Sequence, residues 1–385
     1  MHFIGGNTIR LLRSGSEYFP ALEQAILHAN HEIYLQTYIY EVDEIGIRIG
    51  NALKQAAQRN VQVNVLLDGF GCKDLPESYI QELEQAGVKV MFYRPKISPW
   101  TFKKKRLRRL HRKVTVIDGS VGFVGGINII DDNNTPQQTP PRIDYAVRIE
   151  GNLIAAIDKN VRLLWRRIAW SHLWRPEPTY TTHRHRHAAH NTDTGMKAAF
   201  VLRDNVLHRR DIEEAYLSAI DNAQSEIIIA NAYFLPGRKF RKALIDAATR
   251  GVKVKLLLQG RMEYFIMFAT HAFYRTFLKN GIEIYEYRKS FMHSKVAVID
   301  SYWATVGSSN IDPFSLLLAH EANVLIKDAV FANELRADIE TTIESGAHQV
   351  TQQSWAKANI LQRSISWIAY GLVRILLGII GYSKE

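Results

Sequence analysis

Short β-branched and apolar runs alternate along the chain with longer segments whose apolar residues recur every three to four positions. The first kind of pattern fits buried strands and the second fits amphipathic helices. The alternation also repeats. Glu32-Ile33-Tyr34-Leu35 corresponds to Glu226-Ile227-Ile228-Ile229, each read as a strand. A helix follows, residues 47–59 in the first copy and 239–250 in the second. Val61 to Leu67 and Val252 to Leu258 are the next strands. Ala86-Gly87-Val88 and Asn280-Gly281-Ile282 then close a helix with glycine and start another strand.

Strands alternating with helices predict an α/β fold of two duplicated lobes, each a mostly parallel central sheet flanked by helices, with the active site at the lobe interface. The expected divisions are an N-terminal lobe at residues 1–175, a linker at 176–197, a C-terminal lobe at 198–350 and an apolar tail at 351–385. The linker rests on Pro176, Pro178 and the polar stretch from Thr182 to His187. Those histidines lack cysteine partners and helical i,i+4 spacing, so a solvated linker accounts for them better than a metal site. Residues 151–170, with Leu153, Ile154, Ile157, Val161, Leu164 and Trp165 on one stripe, predict a core-packing helix.

Each lobe carries one chemical phrase. The first is His111-x-Lys113-x4-Asp118-x6-Gly125-Gly126-x-Asn128; the second is His293-x-Lys295-x4-Asp300-x6-Gly307-Ser308-x-Asn310. Val114 to Ile117 and Val296 to Ile299 place both on strands. Alternation puts His111 with Lys113, and His293 with Lys295, on a common face. Asp118 and Asp300 have the opposite parity and sit at tight turns, so they are expected to fix the local backbone. The small pairs Gly125-Gly126 and Gly307-Ser308 are expected to let the backbone approach a ligand. Asn128 and Asn310 are expected to supply phosphate-binding amide donors. Two lysines and two amides can neutralise a phosphodiester without metal or cofactor, and two histidines can attack phosphorus and manage the leaving group's proton.

Composition narrows the partner. The formal charge of +11 over 385 residues implies a polyanion, nucleic acid or an anionic membrane. The lone Cys72 excludes an intrachain disulfide, fits a reducing compartment and is expected to be a buried small residue. The N-terminus shows neither a secretory signal nor an apolar anchor.

The paired motifs resemble those of the phospholipase D superfamily, with its HKD signature, over nearly the whole chain to about residue 350. Gly126 departs from the serine of many members. Gly6-Asn7, Tyr38 with Asp43 and Gly46, Asp68, and Asn231 to Pro236 make the chain most similar to bacterial cardiolipin synthases of the shorter B type. The resemblance implies catalytic roles for His111, Lys113, Asp118, His293, Lys295 and Asp300, and a double displacement through a phosphohistidine. By family order, His111 is the nucleophile and His293 the general acid and base. It also implies an orienting acid some way downstream of each motif, for which Asp144 and Glu321 are the candidates. The reaction implied transfers a phosphatidyl group between two phosphatidylglycerol molecules and releases glycerol. A hydrolytic phospholipase D activity or a nuclease is the alternative.

Three segments bear on that choice. Lys103 to Arg109 forms a basic cluster beside the first motif, suited to anionic headgroups or nucleic-acid phosphates. Tyr264 to Phe268 with Phe273, Tyr274, Phe277 and Leu278 is aromatic enough to line a lipid path, and equally suited to a core. Residues 365–382 are almost wholly apolar, with Ser366, Gly371, Arg374, Gly378 and Gly381 gathered on one side. Arg374 counts against a membrane span, so an interfacial helix with Trp367 and Tyr382 at headgroup level is expected. These features favour phosphatidylglycerol and an anionic membrane surface over nucleic acid. They imply peripheral attachment at the cytoplasmic face of a bacterial inner membrane.

Overall fold

The computed structural model describes residues 1–94, 108–135, 138–171, 194–261, 265–356 and 360–379. In the first lobe the elements are β1 (Ile4–Arg13), α1 (Ser14–Leu27), β2 (Glu32–Thr37), α2 (Glu44–Gln58), β3 (Gln62–Asp68), α3 (Glu77–Gln85), β4 (Lys89–Tyr93), β5 (Lys113–Ile117), β6 (Val121–Gly125), β7 (Arg142–Ile143), β8 (Tyr145–Gly151) and α4 (Ile154–Ser171). The second has β9 (Met196–Arg203), α5 (Asp211–Asp221), β10 (Glu226–Asn231), α6 (Arg238–Thr249), β11 (Lys253–Gln259), α7 (Phe265–His271), α8 (Tyr274–Lys279), β12 (Glu283–Tyr287), β13 (Phe291–Met292), β14 (Lys295–Ile299), β15 (Trp303–Gly307), α9 (Pro313–Leu317), β16 (Glu321–Lys327) and α10 (Ala329–Gly346). β17 (Ala347–Val350), α11 (Gln352–Ala356) and α12 (Ile360–Ile379) follow. The helix stops use glycine as the sequence implies: Gly87 and Gly281 have φ of +94° and +77°, where a side chain would be strained.

Both lobes contribute to one 15-stranded sheet, ordered β17-β12-β11-β10-β14-β15-β16-β9-β1-β8-β6-β5-β2-β3-β4. The order is the same read outward from the antiparallel β1–β9 junction in either direction, apart from the extra edge strand β17. This corrects the expectation of mostly parallel sheets. Within this sheet only β2–β3–β4 and β10–β11–β12 are parallel; β5, β6, β8 and β1, and their counterparts, run antiparallel, and β7 and β13 form a separate parallel pair. The reason is local. Asp118-Gly119 and Asp300-Ser301 adopt left-handed φ values of 51°, 59°, 53° and 50°, and fold each motif strand straight back on itself.

Helices α4 and α10 cover one face of this sheet in a core shared by both lobes, from Ile9 and Val147 to Val298 and Ile339. α1 to α3 cover the other face of the first lobe, and α5, α6 and α8 that of the second. Arg13 and Tyr145 bind Asp338 of α10 at 2.7 and 2.6 Å, tying the lobes together. Cys72 is buried, as expected, and its thiol lies 3.3 Å from the Tyr38 carbonyl. Residues 172–193 and 95–107, with the histidine-rich stretch and most of the basic cluster, lie outside the described residues. β9 already begins at Met196, inside the expected linker.

One open choice is decided and one further expectation is corrected. Phe273, Tyr274, Phe277 and Leu278 are buried in the second-lobe core, so they line no lipid path; Tyr264 lies outside the described residues. In α12 the inward side carries Ser366, Ala369 and Val373, while Ile365, Trp367, Ile368, Leu372 and Ile375 are exposed together with Arg374. Ser366 and Arg374 therefore do not share one solvent-facing side: the small residues pack on the domain and the bulky apolar ones face out. Tyr382 lies outside the described residues. Among the described residues, no helix is long and apolar enough to cross a membrane.

Candidate active site

Each histidine is set by the opposite lobe. The His111 N–H donates to the His320 carbonyl at 3.0 Å, and the His293 N–H to the Ile143 carbonyl at 2.7 Å. Those carbonyls immediately precede Glu321 and Asp144. The His111 Nδ1 then meets the Glu321 carboxylate at 2.9 and 3.1 Å, and the His293 Nδ1 meets Asp144 at 2.7 Å. Both candidate acids are thus partners of histidine, but each serves the motif of the other lobe rather than the one it follows. With a carboxylate on Nδ1, a neutral ring carries its proton there and presents the Nε2 lone pair to a ligand.

Lys113 and Lys295 complete the cluster. They are 2% and 0% exposed, and each points its ammonium to the carbonyl of its own histidine. Lys295 also lies 3.0 Å from the His293 Nδ1 and 3.6 Å from Asp144. The charges act on one another across the interface. Burial pushes the Lys113 ammonium down to about 7, with Lys295 adding repulsion against the pull of Glu321. Burial, then Lys295, pushes His293 down to about 3 against the opposing pull of Asp144. His111 is also lowered, by burial and by both lysines, although Glu321 opposes this. Burial raises Asp144, yet Lys295 and His293 outweigh it and hold it below the usual carboxylate range. Burial and the lysines thus favour the neutral form of both imidazoles in the free enzyme. Two buried lysines and two buried acids balance in charge, so an added anion would favour uptake of a proton by one of the rings.

Asp118 and Asp300 stand apart from this cluster, which removes them from direct catalysis. Asp118 accepts the backbone N–H groups of Asn30, His31 and Glu32 at 2.8, 2.8 and 2.9 Å. Asp300 accepts those of Gln224, Ser225 and Glu226 at 2.9, 2.8 and 3.0 Å. Each fixes the start of the strand beside its motif strand, as its parity implies. The asparagines are partly engaged within the protein. Asn128 Oδ1 accepts the Ile39 N–H at 3.1 Å, and Asn310 Nδ2 reaches the Ser315 hydroxyl at 3.5 Å.

The small residues serve packing rather than ligand approach. A Cβ at Gly126 would run into the Asp144 carboxylate, and one at Gly307 into Asn323. Ser308 stands where Gly126 does in the other lobe and donates its hydroxyl to Glu321. The departure at Gly126 is therefore paired with a change of acid: the shorter Asp144 fills the space beside glycine, and the longer Glu321 is held by serine.

Several contributors were not singled out as site residues from sequence. The Tyr38 and Tyr233 rings flank His111 and His293 at centroid separations of 4.8 and 6.2 Å. Arg109 lies 4.6 Å over Phe70 and lines a pocket of 360 Å³ against His111, together with Asp312 and Ser315. A line-by-line comparison of the two motif copies signals the last two, because Asp312 replaces Ile130.

A family model described as "Cardiolipin synthase, PLD-like domain" matches residues 22–140 and 216–343, one stretch in each lobe. Cardiolipin synthase B of Salmonella typhimurium is 39% identical over 380 residues, spanning 98% of this chain and 90% of the relative. The major cardiolipin synthase ClsA of Bacillus subtilis is 31% identical over 339 residues, 86% of this chain and 68% of the relative. Among solved structures, phosphatidylserine synthase of Haemophilus influenzae superposes with a TM-score of 0.68, covering 100% of this chain and 97% of that one at 13% identity, a likeness of fold. With both motif copies matched and near full-length similarity, the chain belongs to the phospholipase D-like family of cardiolipin synthases.

Proposed function

We propose that the protein is a cardiolipin synthase that moves a phosphatidyl group from one phosphatidylglycerol to the terminal hydroxyl of another, releasing glycerol. The observation that carries this reading is the buried cluster of two imidazoles, each with its Nδ1 on a carboxylate of the opposite lobe, and two lysines near enough to act on both rings. The near full-length similarity to cardiolipin synthase B supports the choice of substrate.

The chemistry follows from the charges. A phosphodiester entering beside Lys113 and Lys295 adds one negative charge to a cluster in which two ammoniums and two carboxylates already balance. It also offsets the lysine repulsion that keeps the rings unprotonated, so one imidazole can take up a proton. The other attacks phosphorus through Nε2. The protonated ring gives its proton to the departing glycerol oxygen, then takes one back from the incoming lipid alcohol. The lysines hold the growing negative charge of the five-coordinate phosphorus. Burial of the cluster disfavours water as the acceptor.

Attachment to the bilayer surface is supported by α12. Ile365, Ile368, Leu372 and Ile375 form an exposed apolar stripe, with Trp367 and Arg374 beside it. Such a face suits a helix lying in the headgroup plane. The net charge of +11 favours an anionic leaflet, and the cytoplasmic leaflet of a bacterial inner membrane fits that reading.

The test is a headgroup-resolved product assay of purified protein in mixed micelles of phosphatidylglycerol, with single-stranded DNA in a parallel reaction. Cardiolipin and glycerol in equal amounts are expected. Phosphatidic acid as sole product, or nicked DNA, would contradict the proposal. His111→Ala and His293→Ala are each expected to lower the rate at least about 10³-fold.

A further inference from the structure

The residues that follow the two motifs differ in a way the overall symmetry of the sheet hides. After Asn128 the first lobe spends its polar groups on its own loop. Asp132 accepts the Gly15 N–H at 2.6 Å, and Asp43 accepts from Asp131 and Asn134 at 2.8 and 3.0 Å. Ile130 is buried. After Asn310 the second lobe places Asp312 and Ser315 at the positions of Ile130 and Asn133. They line the 360 Å³ pocket with His111, Arg109, Asn310 and Phe314.

That pocket has a polar corner. Asn310 is 4% exposed, and its Oδ1 has no hydrogen-bond partner. A buried acceptor left open is costly unless a donor arrives from a ligand. Asp312, 3% exposed, adds a carboxylate whose Oδ1 also caps α9, accepting the Phe314 and Ser315 N–H groups at 2.8 and 3.2 Å, and Ser315, 6% exposed, adds a hydroxyl. Tyr38, Tyr233, Phe314, Leu318 and Ala319 make the rest of the wall apolar, and acceptors dominate only the polar corner, which suits a small headgroup bearing O–H donors. Arg109 and Asp312 bring opposite charges to the same pocket, so a neutral polyol fits it better than a headgroup carrying a net charge.

We propose that Asn310, Asp312 and Ser315 are the subsite for the hydroxyls of a glycerol headgroup, beside His111, a conclusion that rests on the phosphatidyl-transfer reading above. The subsite fixes the direction of the reaction. In-line displacement puts the entering and leaving atoms on opposite sides of phosphorus, so glycerol held against His111 leaves His293 as the attacking ring. This reverses the order implied by the family resemblance. The Lys295 ammonium at 3.0 Å from the His293 Nδ1 favours the unprotonated form that attack requires. In the first step the His293 Nε2 lone pair forms the P–N bond, the P–O bond to glycerol breaks, and that oxygen takes the proton of protonated His111. In the second the lipid hydroxyl gives its proton to His111, its oxygen forms the new P–O bond, and the P–N electron pair returns to His293.

The test compares phosphatidylglycerol, phosphatidylethanol and phosphatidylethanolamine as donors in mixed micelles for wild type, Ser315→Ala and Asp312→Asn. The ratio of kcat/KM for phosphatidylglycerol to that for phosphatidylethanol is expected to fall about tenfold in each variant. A purely structural defect lowers both rates and leaves the ratio, and an unchanged ratio overturns the subsite. Equal wild-type use of phosphatidylethanolamine overturns the polyol preference. A wild type that turns over no donor refutes the transfer reading itself. Alkaline quench during turnover of lipid labelled at phosphate should place the label on the His293 peptide; label on the His111 peptide overturns the order.

Discussion

Glu321 and His111 belong to different lobes, yet the Glu321 carboxylate meets the His111 Nδ1 at 2.9 Å, 0% exposed and braced by the Ser308 hydroxyl. Asp144 and His293 repeat the relationship with the lobes exchanged, at 2.7 Å. Neither half of the chain therefore holds a working histidine by itself. Duplication with exchange makes the interface the catalytic unit.

Removing either acid tests this directly. The Glu321 charge raises the His111 pKa against burial, so Glu321→Gln should lower it further. Asp144→Asn should do the same to His293. Turnover should fall about 10²–10⁴-fold in each, from loss of ring orientation and of imidazolium stabilisation. NMR titration of the ring protons reads the first effect, and steady-state assay the second. A Glu321→Gln variant that perturbs only the His293 ring would sink the crossed pairing.

Lys113 sets a pH limit. Its ammonium, held down to about 7 chiefly by burial, is charged below that value and neutral above it. Phosphodiester capture by the free enzyme should therefore weaken as pH rises through about 7. The profile of kcat/KM, which reports free-enzyme ionisations, should show the decline. Lys113→Gln should lower kcat/KM throughout and abolish that limb; a limb that persists would assign it elsewhere.

Much of this was legible in the sequence, and the boundary is physical. The motif strands, the glycine-ended helices and the structural parity of Asp118 and Asp300 depend on local period and turn chemistry, which a linear pattern carries. The crossing of Asp144 and Glu321 does not. It arises because Leu110 pairs with His320, and Met292 with Ile143, across the lobe interface, and no short-range spacing encodes that pairing. The direction of the sheet was misread because both parallel and antiparallel buried strands read as apolar runs. The outward face of α12 was misread because small residues such as Ser366 look polar on a wheel yet pack closely in a groove.

Asp300 should matter for stability rather than chemistry. Burial raises its carboxyl, but the backbone N–H groups of Glu226, Gln224 and Ser225 bring it below 3.8. A carboxyl depressed in the folded state stabilises above its unfolded pKa and loses that contribution as pH falls through the folded one. Asp300→Ala should lower Tm at pH 7, by roughly 1–3 kcal/mol of lost backbone hydrogen bonding, and the deficit should shrink toward pH 3. Thermal melts across that range check it. A deficit that grows on acidification would contradict the assignment.

The exposed stripe of α12 gives a separable prediction. Ile368→Glu with Leu372→Glu should abolish co-sedimentation with phosphatidylglycerol vesicles while the fold, read by circular dichroism, is kept. Vesicle binding at the wild-type level would move the membrane contact elsewhere on the surface.

The central claim is that two imidazoles share one phosphorus and pass the phosphatidyl group through a covalent histidine. Protein mixed with phosphatidylglycerol labelled at phosphate and quenched in alkaline detergent should carry about one acid-labile label per active chain. Chase with unlabelled phosphatidylglycerol before the quench should move that label into cardiolipin. Protein that never acquires label while cardiolipin accumulates, or label that chase cannot remove, would contradict the account.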